Sequence, residues 1–241
     1  MSDLVLIRHG QAAAFSADSD RLTELGERQA RVLGEYFAAQ KLVFDEVITG
    51  SLRRHAQTEA QVAAACARAG LAWPKARVVA GWNEYDASAI LTTLGQHLLQ
   101  REPTFKQLVD DFQAAAAGPE RNRYFQRMFE VLMACWVSGE GSSVLADGVE
   151  SYESFHDRVS AALEQALGTQ GSRRVAVFTS GGPIGVCVQR TLKAPKAVAL
   201  DVNWRVRNAS LTELIFGRGR VSLDTFNATP HLTEPGLVSF R

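Results

Sequence analysis

The chain has 241 residues, and Lys plus Arg and Asp plus Glu both number 26, so the formal net charge is zero. That length accommodates one large α/β domain or two small ones, and the neutral total excludes a broad electrostatic footprint for nucleic acid or an anionic membrane. Cys66, Cys135 and Cys187 are far apart, odd in number and flanked by apolar residues, which reads as reduced thiols in a core rather than a zinc site or a disulfide framework.

Leu4 to Ile7 is a short branched apolar run that ends at Arg8-His9-Gly10, the pattern of a buried parallel strand feeding a loop. A helix opens at Thr23, with Gln29, Val32, Leu33, Tyr36 and Phe37 recurring at helical spacing. Phe44 to Thr49 is a second strand, followed by Gly50-Ser51 and a helix through Gln57, Val62 and Ala65. Arg77 to Ala80 is a weaker third strand, ending near Asn83-Glu84. Residues 87–138 are helical throughout, broken at Pro103 and Gly118-Pro119, and read as a helical insertion overhanging the site as a lid. Its alanine-rich tract, Ala114 to Ala117, carries no chemical hint. Asp147-Gly148 opens a helix with Phe155, Val159, Leu163 and Leu167 on one face. Arg174 to Phe178 is the clearest strand, and Thr179 to Pro183 turns into the next helix. Ser210 to Phe216 and Arg220 to Phe226 form a hairpin.

Strands alternating with helices predict an α/β three-layer sandwich, a mainly parallel sheet with helices on both faces, in a single domain spanning 1–241. In such folds the site lies beyond the carboxyl ends of the strands. Arg8-His9, Gly50 to Arg54, Glu84 and Ser180 all follow predicted strands, so they can converge there.

The chemistry these residues suggest is phosphoryl transfer. A histidine can attack with one ring nitrogen while a hydrogen bond pins the other. An adjacent guanidinium such as Arg8 grips phosphate oxygens in fork geometry. Ser51 to Thr58 begins a helix directly after a strand, where free amides and the helix dipole favour an anion, and Arg54 adds a second fork. Arg53 and His55 fit a solvated basic turn.

Taken together these segments resemble the histidine phosphatase superfamily, the phosphoglycerate-mutase-like proteins. Leu6 to Gln11 matches that family's opening strand and RHG. Leu22-Thr23, Gly26 and Gln29-Ala30 match its first helix. Gly50 to Thr58 matches its serine-proline-leucine, arginine-alanine, glutamine-threonine segment, aligning Arg54 with the second phosphate arginine. Gly148 to Ser151 with Arg158, Asn208 to Ser210 and Asn227 to Leu232 resemble later motifs. The resemblance implies that Glu84 is the general acid, with Asp86 the competing candidate. It also implies a histidine where this chain has Ser180. None of His55, His97, His156 and His231 stands at an obvious substitute position, so turnover is expected to be weakened rather than lost.

The resulting expectation is a metal-independent phosphohydrolase with no cofactor, cleaving a small phosphorylated substrate through phosphohistidine on His9. Arg8, Arg54 and Ser180 bind phosphate in this reading. Gln11 to Phe15 lacks the tryptophan-asparagine pair of related mutases, which favours hydrolysis. The alternative is a phospholigand-binding or regulatory module that keeps the pocket without turnover. No segment is apolar for long enough to span a bilayer, and Met1-Ser2-Asp3 lacks the basic start of a secretion signal, so cytoplasmic residence is expected.

Overall fold

A computed structural model describes residues 1–13, 18–115, 118–168 and 172–240. Ala14, Phe15, Ala116 and Ala117 of the segments read above lie outside the described residues. The chain divides into two compact units, one formed by residues 1–84 and 158–241 and the other by Tyr85–Asp157.

The first unit holds a six-stranded sheet of order β3-β2-β4-β1-β5-β6. Its strands are β1 (Ser2–Arg8), β2 (Glu46–Thr49), β3 (Arg77–Val78), β4 (Arg174–Thr179), β5 (Leu211–Gly217) and β6 (Arg220–Ala228). β3, β2, β4 and β1 run parallel, while β5 and β6 form an antiparallel hairpin on the β1 side. This is the mainly parallel α/β architecture that alternation of strands and helices predicts.

The helices of this unit are α1 (Glu24–Ala39), α2 (Arg53–Arg68), α7 (Gly181–Thr191) and α8 (Val198–Asn203), with α6 (Tyr152–Leu167) beginning in the other unit. Crossovers through α1 and α2 step one way along the sheet and the crossover through α6 steps back. Right-handed connections therefore put α1 and α2 on one face and α6 on the other. Burial on both faces explains why β1 carries no polar alternation. Val5 and Ile7 pack with Leu33, Phe37, Val62, Cys66 and Phe178 in one core layer, and Leu4 and Leu6 are fully buried as well. All three cysteines are buried free thiols.

Register decides where the site can form. Arg8 stands opposite Thr179 and Thr49 opposite Phe178, so the carboxyl ends of β1, β2 and β4 are level. His9, Gly50 and Ser180 thus leave the sheet along one edge.

Two boundaries differ from the sequence reading. β3 is only two residues long and gives way to a 3-10 turn at Ala80–Trp82, which buries the Trp82 ring. The helix expected to open at Asp147-Gly148 starts at Tyr152 instead. Gly148 has φ of 84°, outside the right-handed helical region, and Ser151 takes the cap, its hydroxyl accepting from the Ser154 amide at 3.2 Å.

The second unit is helical: α3 (Ala87–Arg101), α4 (Pro103–Ala114) and α5 (Pro119–Ser138), then a short turn and the start of α6. Its helix breaks coincide with Pro103 and Gly118-Pro119, because proline is tolerated in a first turn but not within a helix. Leu94, Leu98, Phe105, Leu132 and Trp136 form its buried interior. Among the described residues no helix is long and apolar enough to cross a membrane.

His231, in the first unit, provides a test of the fold. It is 5% exposed, 5.9 Å from the Tyr36 ring, and burial pushes its pKa down from 6.5 to about 4. The unfolded chain takes up a proton near pH 6.5 that the folded chain refuses until about pH 4. The stability at stake is therefore complete above pH 6.5 and is lost as pH falls towards 4. In His231→Phe, the stability difference between pH 7 and pH 4.5, measured by urea unfolding, is expected to shrink by about 2–3 kcal/mol. Identical pH dependence in both proteins would contradict this.

Candidate active site

His9 sits at the carboxyl end of β1, only 6% exposed. Its backbone is fixed from both sides, the amide donating to Thr179 O at 2.9 Å and the carbonyl accepting from Ala209 N at 3.2 Å and Asn208 Nδ2 at 3.3 Å. Its Nδ1 lies 2.6 Å from Gly10 O. A carbonyl only accepts, so Nδ1 carries the proton and Nε2 keeps the lone pair. Burial, then the charges of Arg54, Arg8 and His55, hold the His9 pKa well below that of a free imidazole. The ring is thus neutral, with a defined tautomer, at neutral pH.

The loop that carries it is locked against α1 and α2. Gly10 N donates to Thr58 Oγ1 at 3.1 Å, and that hydroxyl donates to Arg54 O at 2.7 Å. Gln11 N reaches Gln29 Oε1 at 2.8 Å.

Arg8 and Arg54 approach His9 closely enough that both charges act on its ring, but each also serves a protein acceptor. Arg8 Nη1 donates to Val206 O and to Phe240 O, the latter at 2.9 Å. Arg54 Nη1 donates to Asp20 Oδ1 at 2.8 Å, and Asp20 Oδ2 also accepts from Arg53 N at 2.7 Å. A carboxylate of the protein therefore occupies the helix start that the sequence reading reserves for a ligand, and Ser51 N is taken by Asn83 Oδ1 at 2.7 Å. Asp20 carries no motif that singles it out, because its partners are more than thirty residues away.

Glu84 follows the 3-10 turn in a segment fastened by its neighbours. Arg158 Nη1 reaches Ala80 O, Gly81 O and Asn83 O at 3.3, 3.1 and 3.0 Å. Thr179 Oγ1 donates to Trp82 O at 2.6 Å, and Asn83 Nδ2 to Ser51 Oγ at 2.7 Å. One oxygen of the Glu84 carboxyl group accepts from Gly182 N at 3.0 Å, at the start of α7. The competing Asp86 caps α3 instead, accepting from Ser88 N and Ala89 N, both at 3.0 Å.

Ser180 is fully buried at the N-cap of α7. Its Oγ lies 2.7 Å from Nε2 of His55. His55 is the residue that sequence reading misplaces: it is fully buried, not part of a solvated turn, and its ring centroid is 5.7 Å from that of His9. Burial first, then Arg54, lowers its pKa well below 6.5. The signal was helical spacing, since His55, Thr58, Val62 and Cys66 share the buried face of α2. Among the described residues no group of three or more His, Cys, Asp or Glu side chains could hold a metal ion.

The sequence matches the histidine phosphatase superfamily (branch 1) over residues 4–145 and 130–229. Curated protein sequences give no match. Among solved structures, phosphoserine phosphatase from Entamoeba histolytica in complex with phosphoserine is similar at 19% identity and a TM-score of 0.62, covering 96% of this chain and 100% of that one. The alpha-ribazole phosphatase from Shigella flexneri is 17% identical with a TM-score of 0.60, covering 94% of this chain and 96% of that one. A mycobacterial glucosyl-3-phosphoglycerate phosphatase is 20% identical with a TM-score of 0.58, covering 95% of this chain and 100% of that one. Identities this low speak for the fold alone, whereas the family match runs through the strand ends that carry His9, Arg54, Glu84 and Ser180. By that match the chain belongs to the histidine phosphatase superfamily, branch 1.

Proposed function

We infer that this protein is a phosphohydrolase that cleaves small phosphate monoesters through a phosphohistidine on His9. The observation carrying this is the His9 tautomer: the Nδ1–H···O=C bond to Gly10 at 2.6 Å leaves a lone pair on Nε2, in a neutral ring influenced by two guanidinium groups.

Nε2 attacks phosphorus as the ester P–O bond breaks. Arg8 and Arg54 offset charge on the non-bridging oxygens, and the Glu84 carboxyl gives its proton to the departing alkoxide. A water then attacks the phosphoryl group, Glu84 takes back a proton, and the N–P bond breaks to release phosphate and restore His9. Arg54 can serve although Asp20 holds its Nη1. That pair is partly exposed, at 17% and 37% for the two side chains, so it is worth about 1 kcal/mol or less. A doubly charged phosphate competes with it on favourable terms. The neighbours named for phosphoserine, alpha-ribazole and glucosyl-3-phosphoglycerate phosphatases support the reaction class without selecting a substrate.

The test is rapid quenching with p-nitrophenyl phosphate as phosphodonor. An acid-labile, base-stable phosphate on His9 and a burst of nitrophenol are expected. Glu84→Gln should slow release from an alkyl phosphate about 100-fold or more, and from p-nitrophenyl phosphate far less, because nitrophenolate leaves without a proton. Tight binding of phosphate esters with no adduct would replace the enzyme reading by that of a ligand-binding module.

A further inference from the structure

Ser180 holds an N-cap position yet makes no capping bond to its own helix. An N-cap serine ordinarily spends its oxygen on the amides of the first turn. Here the Gly182 amide goes to Glu84, and the Ser180 oxygen turns to His55, 125 positions away in the chain. Both side chains are fully buried. The backbone makes room for this pair, since a Cβ at Gly50 would fall 2.3 Å from His55 Nδ1.

The proton arrangement follows from burial. His55 Nδ1 is buried without a hydrogen-bond partner among the described residues. Protonating that nitrogen would strand a donor, whereas protonating Nε2 gives the hydrogen to Ser180 Oγ, and stranded buried donors are the rarer and costlier defect. With its oxygen accepting from His55, the Ser180 hydroxyl has its own hydrogen left to give. The His9 ring is nearby, 5.7 Å from the His55 ring between centroids.

The geometry points to a two-residue relay, His55 Nε2–H to Ser180 Oγ–H to a phosphoryl oxygen. Ser180 is the catalytic donor and His55 the positioning residue. The imidazole expected at position 180 is supplied from position 55 instead, acting through a hydroxyl. No proton leaves the pair; its hydrogens are shared along the chain, and each bond polarises the next. The relay rests on the reading of His9 as phosphoryl acceptor.

A double-mutant cycle tests it, using kcat for p-nitrophenyl phosphate with thermal unfolding as the check on folding. Ser180→Ala and His55→Leu are each expected to lower kcat about 10- to 100-fold with KM little changed. The double variant should fall no more than about threefold below the weaker single, because both remove the same donated hydrogen bond. His55→Gln, whose amide can donate to Ser180 Oγ, should regain most of the loss only when Ser180 is present. Multiplicative effects, or rescue by glutamine in the Ser180→Ala background, would overturn the relay. Should His55→Leu not fold, Ser180→Ala decides alone, and kcat within twofold of the parent overturns it. If trapped phosphohistidine persists while the cycle is additive, only the relay fails. Full activity in His9→Ala removes both readings.

Discussion

His9→Ala is expected to lower kcat for p-nitrophenyl phosphate by about four orders of magnitude or more, the scale seen when a covalent nucleophile is deleted from a site that otherwise stays assembled. The loss is assigned to kcat because, in the proposed reading, phosphate is held by the Arg8 and Arg54 side chains, which this substitution leaves in place. Arg54 lies in the first turn of α2, and Arg8 is tied to Val206 O and Phe240 O. KM should therefore move only a few-fold. The fold should tolerate the change, since the loop is held by backbone bonds from His9 to Thr179 and Ala209 that alanine keeps. In the unmutated protein the acid limb of the proposed activity should lie below pH 6.5. Burial and the nearby cations hold the imidazole neutral there, so the attacking form persists as pH falls through the range where a free histidine protonates. Activity within tenfold of the parent would remove His9 from the chemistry.

What sequence patterns could reach follows from distance along the chain. The strands and helices were legible because burial on both faces makes a parallel strand a continuous apolar run and burial on one face gives a helix a period of 3.6, and because Pro103 and Gly118-Pro119 punctuate the helical unit where its breaks fall. Convergence of His9, Arg54, Glu84 and Ser180 was legible from parallel topology, since each follows a strand. The partners of these side chains were not. Asp20 meets Arg54, Arg158 holds the Glu84 segment, and His55 meets Ser180 only once the sheet has been ordered β2-β4-β1. His55 was misread because two arginines precede it and suggest water, whereas its place on the α2 face suggests the core. The helix period outweighed local charge. At Gly148 the reverse held: the motif suggested a helix start, and a positive φ moved it to Tyr152.

The closest backbone approach near the site makes the second large prediction, that Gly26→Ala destabilises the protein by about 3 kcal/mol or more. In isolation a glycine-to-alanine change inside a helix gains roughly 0.5–1 kcal/mol, so packing must reverse the sign. A Cβ at Gly26 would fall 2.1 Å from Gln11 O and 2.8 Å from Gln11 N, and one at Gly10 would fall 2.3 Å from Gly26 O. These neighbours are backbone atoms and cannot swing aside as a side chain does. Gln11 O also accepts from Thr23 N at 2.9 Å and Gln11 N donates to Gln29 at 2.8 Å, so pushing the loop after β1 away breaks the bonds that seat α1. Because His9 lies two residues before Gln11, kcat should fall with stability. Gly95 in α3 supplies the opposite case, its nearest neighbours being the Leu132 and Leu91 methyl groups, each at 3.9 Å. Gly95→Ala should therefore show the intrinsic gain of about 0.5–1 kcal/mol. Thermal unfolding of the two variants should move in opposite directions, and a Gly26→Ala protein as stable as Gly95→Ala would mean that α1 does not press on the loop that carries His9.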